Sequence, residues 1–186
     1  NKKKIYKDNK ERREKIMHEK SLIIYFSRIG ENYTREGIVD LKVGNTAIAA
    51  HIIKDLTNSD IFEVKPLHDY PKNYRECVKV SVQELKEKSR PPLKEYLTDI
   101  SSYDVIYIGT PIWCGTMPMP MFTQLEKLDF TGKKIKVFVT NEGSGVGNIV
   151  NDLKKICKNA ASIDSISIIG SEVENSRSLI EEWVRK

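Results

Sequence analysis

The sequence has few cysteines and histidines, and neither type is clustered. Its three cysteines, Cys77, Cys114 and Cys157, are an odd number at wide spacing, and no two of them form a CxxC pair. The three histidines are equally scattered. Structural zinc sites and disulfide frameworks need such residues at short, characteristic spacings. The sequence therefore predicts neither a metal site nor a disulfide framework.

Two common nucleotide-binding motifs are also missing. There is no GxxxxGK[ST], which argues against a P-loop for nucleoside triphosphates, and no GxGxxG follows the first predicted strand, which disfavours a dinucleotide fold. No repeat, low-complexity tract or linker rich in proline, glycine or serine divides the chain. Its 186 residues are therefore predicted to form one domain with one core.

Excess positive charge is confined to the N-terminus. Residues 1–20 contain nine Lys or Arg and four Asp or Glu, which accounts for the whole net charge of +5, so residues 21–186 are neutral. A neutral body offers no basic face, and we expect no nucleic-acid partner. We expect residues 1–20 to form a basic, solvated helix or arm outside the functional domain at 21–186.

The same basic arm leaves two interpretations of location open. Its low apolar content argues against insertion into a bilayer, and a cytoplasmic protein is the first expectation. Alternatively, because the sequence does not start with Met, an anchor upstream of residue 1 could hold the basic run beside a membrane surface.

Short β-branched runs alternate with segments of helical spacing along the rest of the chain. The predicted strands are 21–26, 60–64, 103–109, 134–140 and 165–170. The predicted helices are 45–57, 73–89, 119–127, 147–158 and 176–185. Near-continuous apolar strands are typical of a parallel sheet covered by helices on both faces. Ligands of such sheets bind beyond the carboxyl ends of the strands, so the loops after the first, third and fourth strands are the candidate site.

The loop after the first strand holds Ser27 and Gly30, and the GNT at 44–46 follows after an interval and directly precedes a helix. A hydroxyl, a glycine and a helix N-terminus together predict an anion site, with Arg28 as a charged neighbour. GNT by itself is equally typical of a helix cap. The site needs no lysine, which suits a singly esterified phosphate.

The other two loops suit a flat ligand. Residues 109–120, GTPIWCGTMPMP, place Trp113 in a turn stiffened by prolines, either as a stacking platform or as a cap over the core. Residues 140–148, TNEGSGVGN, are dense in glycine, which lets the backbone approach a flat ligand and point its amides at polar edges. Ser144 could otherwise be a simple helix cap. Cys114 is interpreted as a small apolar filler rather than a reactive thiol.

Together these segments resemble the flavodoxin family. The shared features are YFSxxG with GNT, then YDVIYIGTPIW, then TxEGSG, in that order. The sequence is most similar to the flavodoxin-like branch with the split phosphate loop YFSxxGENY…VGNT, which also has Tyr70-Pro71, Asn73-Tyr74 and Arg90-Pro91. The resemblance covers residues 21–170. It implies a flavodoxin-like, doubly wound, five-stranded parallel sheet of order 2-1-3-4-5 with helices on both faces. It also implies tightly but noncovalently bound flavin mononucleotide, FMN.

The resemblance assigns cofactor-binding roles residue by residue. It assigns the phosphate loop to Ser27, Arg28, Gly30, Asn45 and Thr46. It assigns the first loop against the flavin ring to Thr110, Pro111, Ile112, Trp113, Cys114, Gly115 and Thr116. It assigns the second to Thr140, Glu142, Gly143, Ser144, Gly145 and Gly147. No catalytic side chain is implied, because the redox chemistry belongs to the flavin.

This sequence departs from ordinary flavodoxins in its phosphate loop, where residues 31–43 interrupt a segment that is normally continuous. One hypothesis is that Glu31, Asn32 and Tyr33 fold back over the cofactor, which adds Asn32 and Tyr33 to the predicted contacts. The alternative is an inert surface excursion. In either case a loop of this length can close and bring Ser27 to Asn45 and Thr46.

The functional prediction is an FMN-binding electron-transfer protein that serves redox protein partners or a small-molecule electron acceptor. The alternative is an FMN-dependent NAD(P)H:quinone or acceptor oxidoreductase, in which the charged segment 65–100 could help to form a second pocket. A cofactor-free receiver domain of the response-regulator type is disfavoured. It would need an acidic cluster after the first strand and an aspartate ending the third, where this chain has Ser27, Arg28 and Gly109-Thr110.

Overall fold

The computed structural model describes residues 2–186, and its centre is a five-stranded parallel sheet. The strands of the chain are β1 Ser21–Tyr25, β2 Gly30–Thr34, β3 Gly37–Leu41, β4 Asp60–Glu63, β5 Val105–Pro111, β6 Lys134–Asn141 and β7 Ser162–Ile169. The central sheet has the order β4-β1-β5-β6-β7, with all neighbours parallel. This is the predicted 2-1-3-4-5 order, and the flavodoxin-like fold class is confirmed.

Helices cover both faces of the sheet. They are α1 Lys2–His18, α2 Asn45–Thr57, α3 Tyr74–Glu87, α4 Met119–Leu125, α5 Ile149–Ile156 and α6 Arg177–Val184, with a short 3-10 helix at Gly170–Asn175. Residues of α4 and α5 pack in the core on one face, and residues of α2 and α6 pack on the other. Alternation along β1 serves both cores, because Leu22 and Ile24 face one and Ile23 and Tyr25 face the other.

The five predicted helices and the five predicted central strands are present, with ends that move by up to three residues. The hairpin β2–β3 and the 3-10 helix were not predicted. Strand β2, GENYT, is mostly polar, and the hairpin leaves Tyr33, Ile38 and Val39 exposed. A two-stranded ribbon with so little apolar burial gives a weak sequence pattern.

The basic N-terminal segment is largely an exposed helix, as expected. Helix α1 contacts the domain near its end, where Ile16 packs beside the α2–α6 core and Arg13 pairs with Glu181 at 3.5 Å. Whether residue 20 marks a functional boundary stays a prediction. Over residues 2–186, no helix combines the length and the apolar character needed to cross a membrane.

Candidate functional site

A cavity of about 370 Å³ lies at the carboxyl edge of the sheet, between the loops that follow β1, β5 and β6 and one face of α3. Most of the predicted site residues line it: Ser27, Arg28, Asn32, Tyr33, Asn45, Thr46, Pro111, Ile112, Trp113, Cys114, Thr140, Glu142 and Ser144. The three loops that were separated in sequence therefore meet around one space.

The two halves of the interrupted phosphate loop meet at the N-terminus of α2. The hydroxyl of Ser27 accepts a hydrogen bond from the amide of Ala47 at 3.1 Å, so a residue far away in sequence caps the helix. A Cβ on Gly44 would lie 2.1 Å from Ser27 Oγ, so only glycine allows this approach. First-turn amides of a helix have no intrahelical partner, and those of Asn45 and Thr46 have none elsewhere among the described residues. They remain available to an anion at the cavity.

Arg28 lines the cavity but uses its guanidinium mainly to join chain segments. Its Nη1 donates to the carbonyl of Glu31, and its Nη2 donates to the carbonyls of Pro71 at 2.7 Å and Lys72 at 2.9 Å. Its buried Nε has no hydrogen-bond partner in the described chain. Arg28, which was predicted as a charged neighbour of the anion site, therefore links the hairpin to the segment before α3 through these hydrogen bonds.

The inserted hairpin docks on the N-terminus of α3. Glu31 accepts hydrogen bonds from the amide of Tyr74 at 2.8 Å and the side chain of Asn73 at 2.9 Å, a favourable place for a carboxylate. The side-chain Nδ2 of Asn32 donates to the carbonyl of Gly30 at 3.0 Å, and the ring centroid of Tyr33 lies 6.3 Å from that of Tyr74. Asn32 and Tyr33 line the cavity, whereas Glu31 does not. The insertion is therefore part of the cavity wall.

Trp113 is both a core contact and a lining residue. Its indole meets Phe26 edge to face at a centroid distance of 5.3 Å and Tyr70 at 4.9 Å. The hydroxyl of Tyr70 donates to Glu84 Oε2 at 2.5 Å. Burial raises the pKa of Tyr70 well above its ordinary value and is also the main reason that the pKa of the Glu84 carboxyl is raised. The indole therefore packs on the core and also lines the cavity, and its role as a stacking platform stays a prediction.

The indole is followed by a tight two-residue turn. Trp113 and Thr116 exchange backbone hydrogen bonds of 2.8 and 3.1 Å, with Cys114 (φ 51°) and Gly115 (φ 83°) at the corner. The hydroxyl of Thr116 donates to Asp152 at 2.6 Å, which ties the turn to α5. Gly115 and Thr116 therefore shape the turn, and Cys114 alone of the three lines the cavity.

The glycine-dense loop after β6 is organised from within. The side-chain oxygen of Asn141 accepts hydrogen bonds from the amides of Gly143 at 2.9 Å and Gly145 at 3.1 Å. These amides, which were expected to point at a ligand, are thus already used. Glu142 accepts hydrogen bonds from the amide and hydroxyl of Ser171 at 2.8 and 2.9 Å. Gly143 and Gly145 therefore shape the loop, and Glu142 and Ser144 face the cavity.

The remaining predicted residues lie behind the lining. Thr110 is fully buried and donates to the carbonyl of Pro111 at 2.7 Å. A Cβ on Gly30 would lie 3.0 Å from the carbonyl oxygen of Lys72, and one on Gly147 would lie 2.5 Å from that of Gly115. These positions allow neighbouring loops to pack closely. Thr46 and Thr140, both lining residues, share a hydroxyl hydrogen bond of 2.7 Å.

The sequence-based prediction missed one whole side of the cavity. The missed lining residues are Tyr74, Cys77, Val78 and Ser81 of α3, together with Asn141 and Gly170. The α3 residues have the spacing i, i+3, i+4, i+7 of a single helix face, a signal that was present in the sequence. It was not used because nothing in the sequence shows which face of that helix turns towards the loops.

Comparison with known proteins gives a consistent result. A family model described as flavodoxin matches residues 41–186. The structure is similar to the crystal structure of a protein assigned as a flavoprotein from Bacteroides uniformis, at 27% identity and a TM-score of 0.68, over 90% of this chain and 99% of that one. It is similar to a protein with the same assignment from Bacteroides eggerthii at 26% identity and a TM-score of 0.62, over 88% and 98% of the two chains.

A third solved structure shares the fold at lower identity. It is a flavoprotein in complex with FMN from Lactobacillus acidophilus, with 19% identity and a TM-score of 0.57 over 84% of this chain and 97% of that one. A search of curated protein sequences gives no significant match. In these three structural comparisons the chain spans nearly the full length of each neighbour.

Proposed function

Since this chain belongs to the flavodoxin family, we propose that it binds FMN noncovalently in the cavity at the sheet edge and carries electrons between redox partners. The observation that supports this proposal is that one cavity has a polar end and an apolar end. One end is the N-terminus of α2 with the unpartnered amides of Asn45 and Thr46, and the other is lined by the aromatic and apolar loop from Pro111 to Cys114.

The first end fits the phosphate of FMN. Two free amides, the hydroxyl of Ser27 and the positive end of a helix of 13 residues favour a phosphate monoester. Arg28 adds a positive charge to the lining, with its guanidinium held by the carbonyls of Pro71 and Lys72. Among the described lining residues Glu142 is the carboxylate; it accepts hydrogen bonds from Ser171, and its Oε1 and the Nδ2 of Asn45 both lie close to Gly170.

The second end fits the flavin ring. Ile112 and Trp113 offer apolar surface, and the edge contacts of Trp113 with Phe26 and Tyr70 hold the indole in place before any ligand arrives. Thr140 and Ser144 of the opposite loop offer polar groups to the edge of the ring. Bound FMN would supply reversible electron transfer, while these residues bind it, orient it and exclude water.

The direct test is a titration of the purified protein with FMN, followed by flavin absorbance and fluorescence. We expect saturable binding of one FMN per chain. Riboflavin, which lacks the phosphate, should bind more weakly because it leaves the α2 amides unpartnered. Protein that does not take up FMN in excess would contradict the proposal, and equal affinity for the two flavins would contradict the assigned phosphate end.

A second candidate function is an FMN-dependent NAD(P)H:acceptor reductase. It is favoured by the exposed apolar side chains at the rim of the cavity, Tyr33 at 54% and Val78 at 37% exposure, where a small acceptor could bind. The carrier remains the first candidate, and the mode of reduction distinguishes the two. Anaerobic photoreduction in two resolved one-electron steps would support the carrier. Rapid reduction by NADPH alone, with turnover of a quinone, would support the reductase.

A further inference from the structure

We propose that Cys77 and Cys114 form a redox-active dithiol across the cavity, which a low-molecular-weight disulfide oxidises to an intramolecular disulfide linking α3 to the 113–116 turn. Both cysteines line the cavity, one from the helix and one from the turn. The proposal depends on the placement of these thiols and not on the proposed function.

The helix face brings the two thiols close together. The sulfur of Cys114 lies 3.7 Å from the hydroxyl of Ser81. Cys77 is four residues before Ser81 on α3, so the two side chains lie on the same face, with about 5–6 Å between Cβ atoms. The Cys114 thiol therefore lies against the helix face that carries Cys77, about one helical turn from it. Formation of the disulfide requires the turn at 113–116 to move along that face until the two Cβ atoms are about 4 Å apart.

The electrostatic environment of Cys77 agrees with this placement. Burial raises the pKa of the Cys77 thiol above its ordinary value, the Arg28 guanidinium opposes the rise, and Glu84 and Cys114 add to it. Cys77 is 5% exposed, whereas Cys114 is exposed. Accessibility thus makes Cys114 the thiol that meets a reagent first and Cys77 the resolving thiol.

Cys114 occupies a backbone position that disfavours it. Its φ of 51° lies in the left-handed region, at the first corner of a two-residue turn where Asn, Asp or Gly is preferred. A side chain there is sterically disfavoured, because its Cβ crowds the following carbonyl oxygen. The turn nevertheless presents a thiol, and presents it towards the helix that carries the second one. Strain of this kind is often found where a side chain has a functional role.

The oxidation is a balanced exchange in two steps. The Cys114 thiolate attacks one sulfur of oxidised glutathione, forms a mixed disulfide and releases one glutathione thiolate, which takes up the proton lost by Cys114. Cys77 then loses its proton and attacks the Cys114 sulfur, which releases the second glutathione as a thiol. The two cysteines lose two electrons and two protons, and one oxidised glutathione becomes two reduced molecules.

The test uses oxidised glutathione on the purified full chain as isolated, followed by acid quenching, alkylation and trypsin digestion without reductant. Trypsin releases Cys77 in peptide 76–79, Cys114 in peptide 95–127 and Cys157 in peptide 156–158. We expect peptides 76–79 and 95–127 to be joined, with Cys157 alkylated. Cys157 is a matched control, because it is 3% exposed and burial raises its pKa to about 12.

Three variants separate the steps. Cys77→Ser should stop at a stable glutathione adduct on Cys114, Cys114→Ser should leave Cys77 reduced, and Cys157→Ser should behave as the parent does. A persistent adduct on Cys114 in the parent protein, or glutathione on Cys77 and Cys114 independently, would overturn the proposal. Because peptide mass is the readout, protein that binds no FMN can still form the cross-link, so the two proposals fail separately.

Discussion

The cavity has two walls that are built from different parts of the chain. The edge wall consists of the loops after β1, β5 and β6, and each of these strands is paired on both sides in the central sheet. The helix wall consists of Tyr74, Cys77, Val78 and Ser81 of α3 with Tyr33 of the hairpin. Its ends are held by polar contacts of Arg28 and Glu31 instead of by sheet pairing.

Because of this difference, the edge wall is the more rigid of the two and the helix wall is the more easily displaced. Backbone pairing in the sheet fixes the edge wall, so residues such as Trp113 and Thr140 keep their places without a ligand. The helix wall is less buried, and Tyr33 and Val78 are exposed. Segments with little buried apolar surface open at a lower free-energy cost than a sheet core does. We therefore expect the edge wall to define the cofactor and the helix wall to define what approaches it.

The largest predicted effect comes from removing the side chain that joins the two walls. Trp113→Ala deletes the contacts with Phe26 and with Tyr70, which lies on the segment leading to α3. We expect the free energy of unfolding to fall by about 3 kcal/mol, the low end for such truncations because Trp113 is only partly buried. Urea denaturation measures this.

Trp113→Phe is the matched variant for that experiment. It keeps an aromatic edge contact and should lose less than half as much stability. An alanine variant as stable as the parent would show that the indole does not join the walls.

The next effect tests the edge wall alone. In Gly44→Ala the new Cβ would lie 2.1 Å from Ser27 Oγ and 2.8 Å from the carbonyl of Arg28, so the turn must open and move the α2 amides. We expect FMN affinity to fall by about 100-fold, which corresponds to about 2.7 kcal/mol. The fall should be much smaller for riboflavin, since the phosphate end is the part that moves. Fluorescence titration with both flavins measures it.

Gly132→Ala provides the control for that variant. A Cβ there meets nothing within 4 Å, and its φ of 74° means that alanine costs stability without reaching the cavity. Unchanged FMN affinity in Gly44→Ala would show that the phosphate does not lie at this turn.

A smaller effect is expected when the helix wall is loosened. Arg28→Lys replaces a planar fork that reaches the carbonyls of Glu31, Pro71 and Lys72 by a single ammonium group. We expect a loss of about 1–2 kcal/mol, together with faster hydrogen exchange in the hairpin and the first turn of α3. Exchange in β5 and β6 should not change.

Arg35→Lys makes the same substitution at the turn between β2 and β3 and serves as the control. Arg35 is exposed and pairs with Glu172 at 3.3 Å, so its replacement should change stability very little. Faster exchange in both walls after Arg28→Lys would mean that the walls are one cooperative unit.

The two walls also differ in how well the sequence predicts them. The edge wall follows apolar strands, and the carboxyl ends of parallel strands must meet at one edge, so Ser27, Trp113 and Thr140 could be placed together from the sequence. The helix wall depends on long-range polar contacts such as that of Glu31 with the amide of Tyr74. No local pattern encodes such a pair, and the polar hairpin that supplies Glu31 was itself missed.

Side-chain partners were also hard to predict within the edge wall. The density of glycines at 143–147 indicated a backbone close to a ligand, but Asn141 takes up the amides of Gly143 and Gly145. Asn141 is the last residue of β6 and lies within the 140–148 segment, and nothing in the sequence indicates that its side chain accepts these two amides. The motif therefore predicted the position of the loop, while its hydrogen-bond pattern required the structure.

The smallest predicted effect is a pH dependence at the joint between the walls. Burial raises the pKa of the Glu84 carboxyl above its ordinary value of 4.5, the hydrogen bond from Tyr70 lowers it, and the charge of Glu87 raises it again. The folded protein therefore holds this proton more tightly than the unfolded chain does. The stability that this group contributes is complete below pH 4.5 and is lost as the pH rises through the folded-state pKa. Glu84→Gln should abolish this loss, so the parent should weaken relative to the variant as the pH rises above 4.5. Because the group is partly solvated, the change in the free energy of unfolding should stay below about 1 kcal/mol.

Urea denaturation at a series of pH values on both sides of pH 4.5 measures this change, with Glu95→Gln at an exposed position as the control. Parallel pH profiles for the parent and Glu84→Gln would contradict the raised pKa of Glu84.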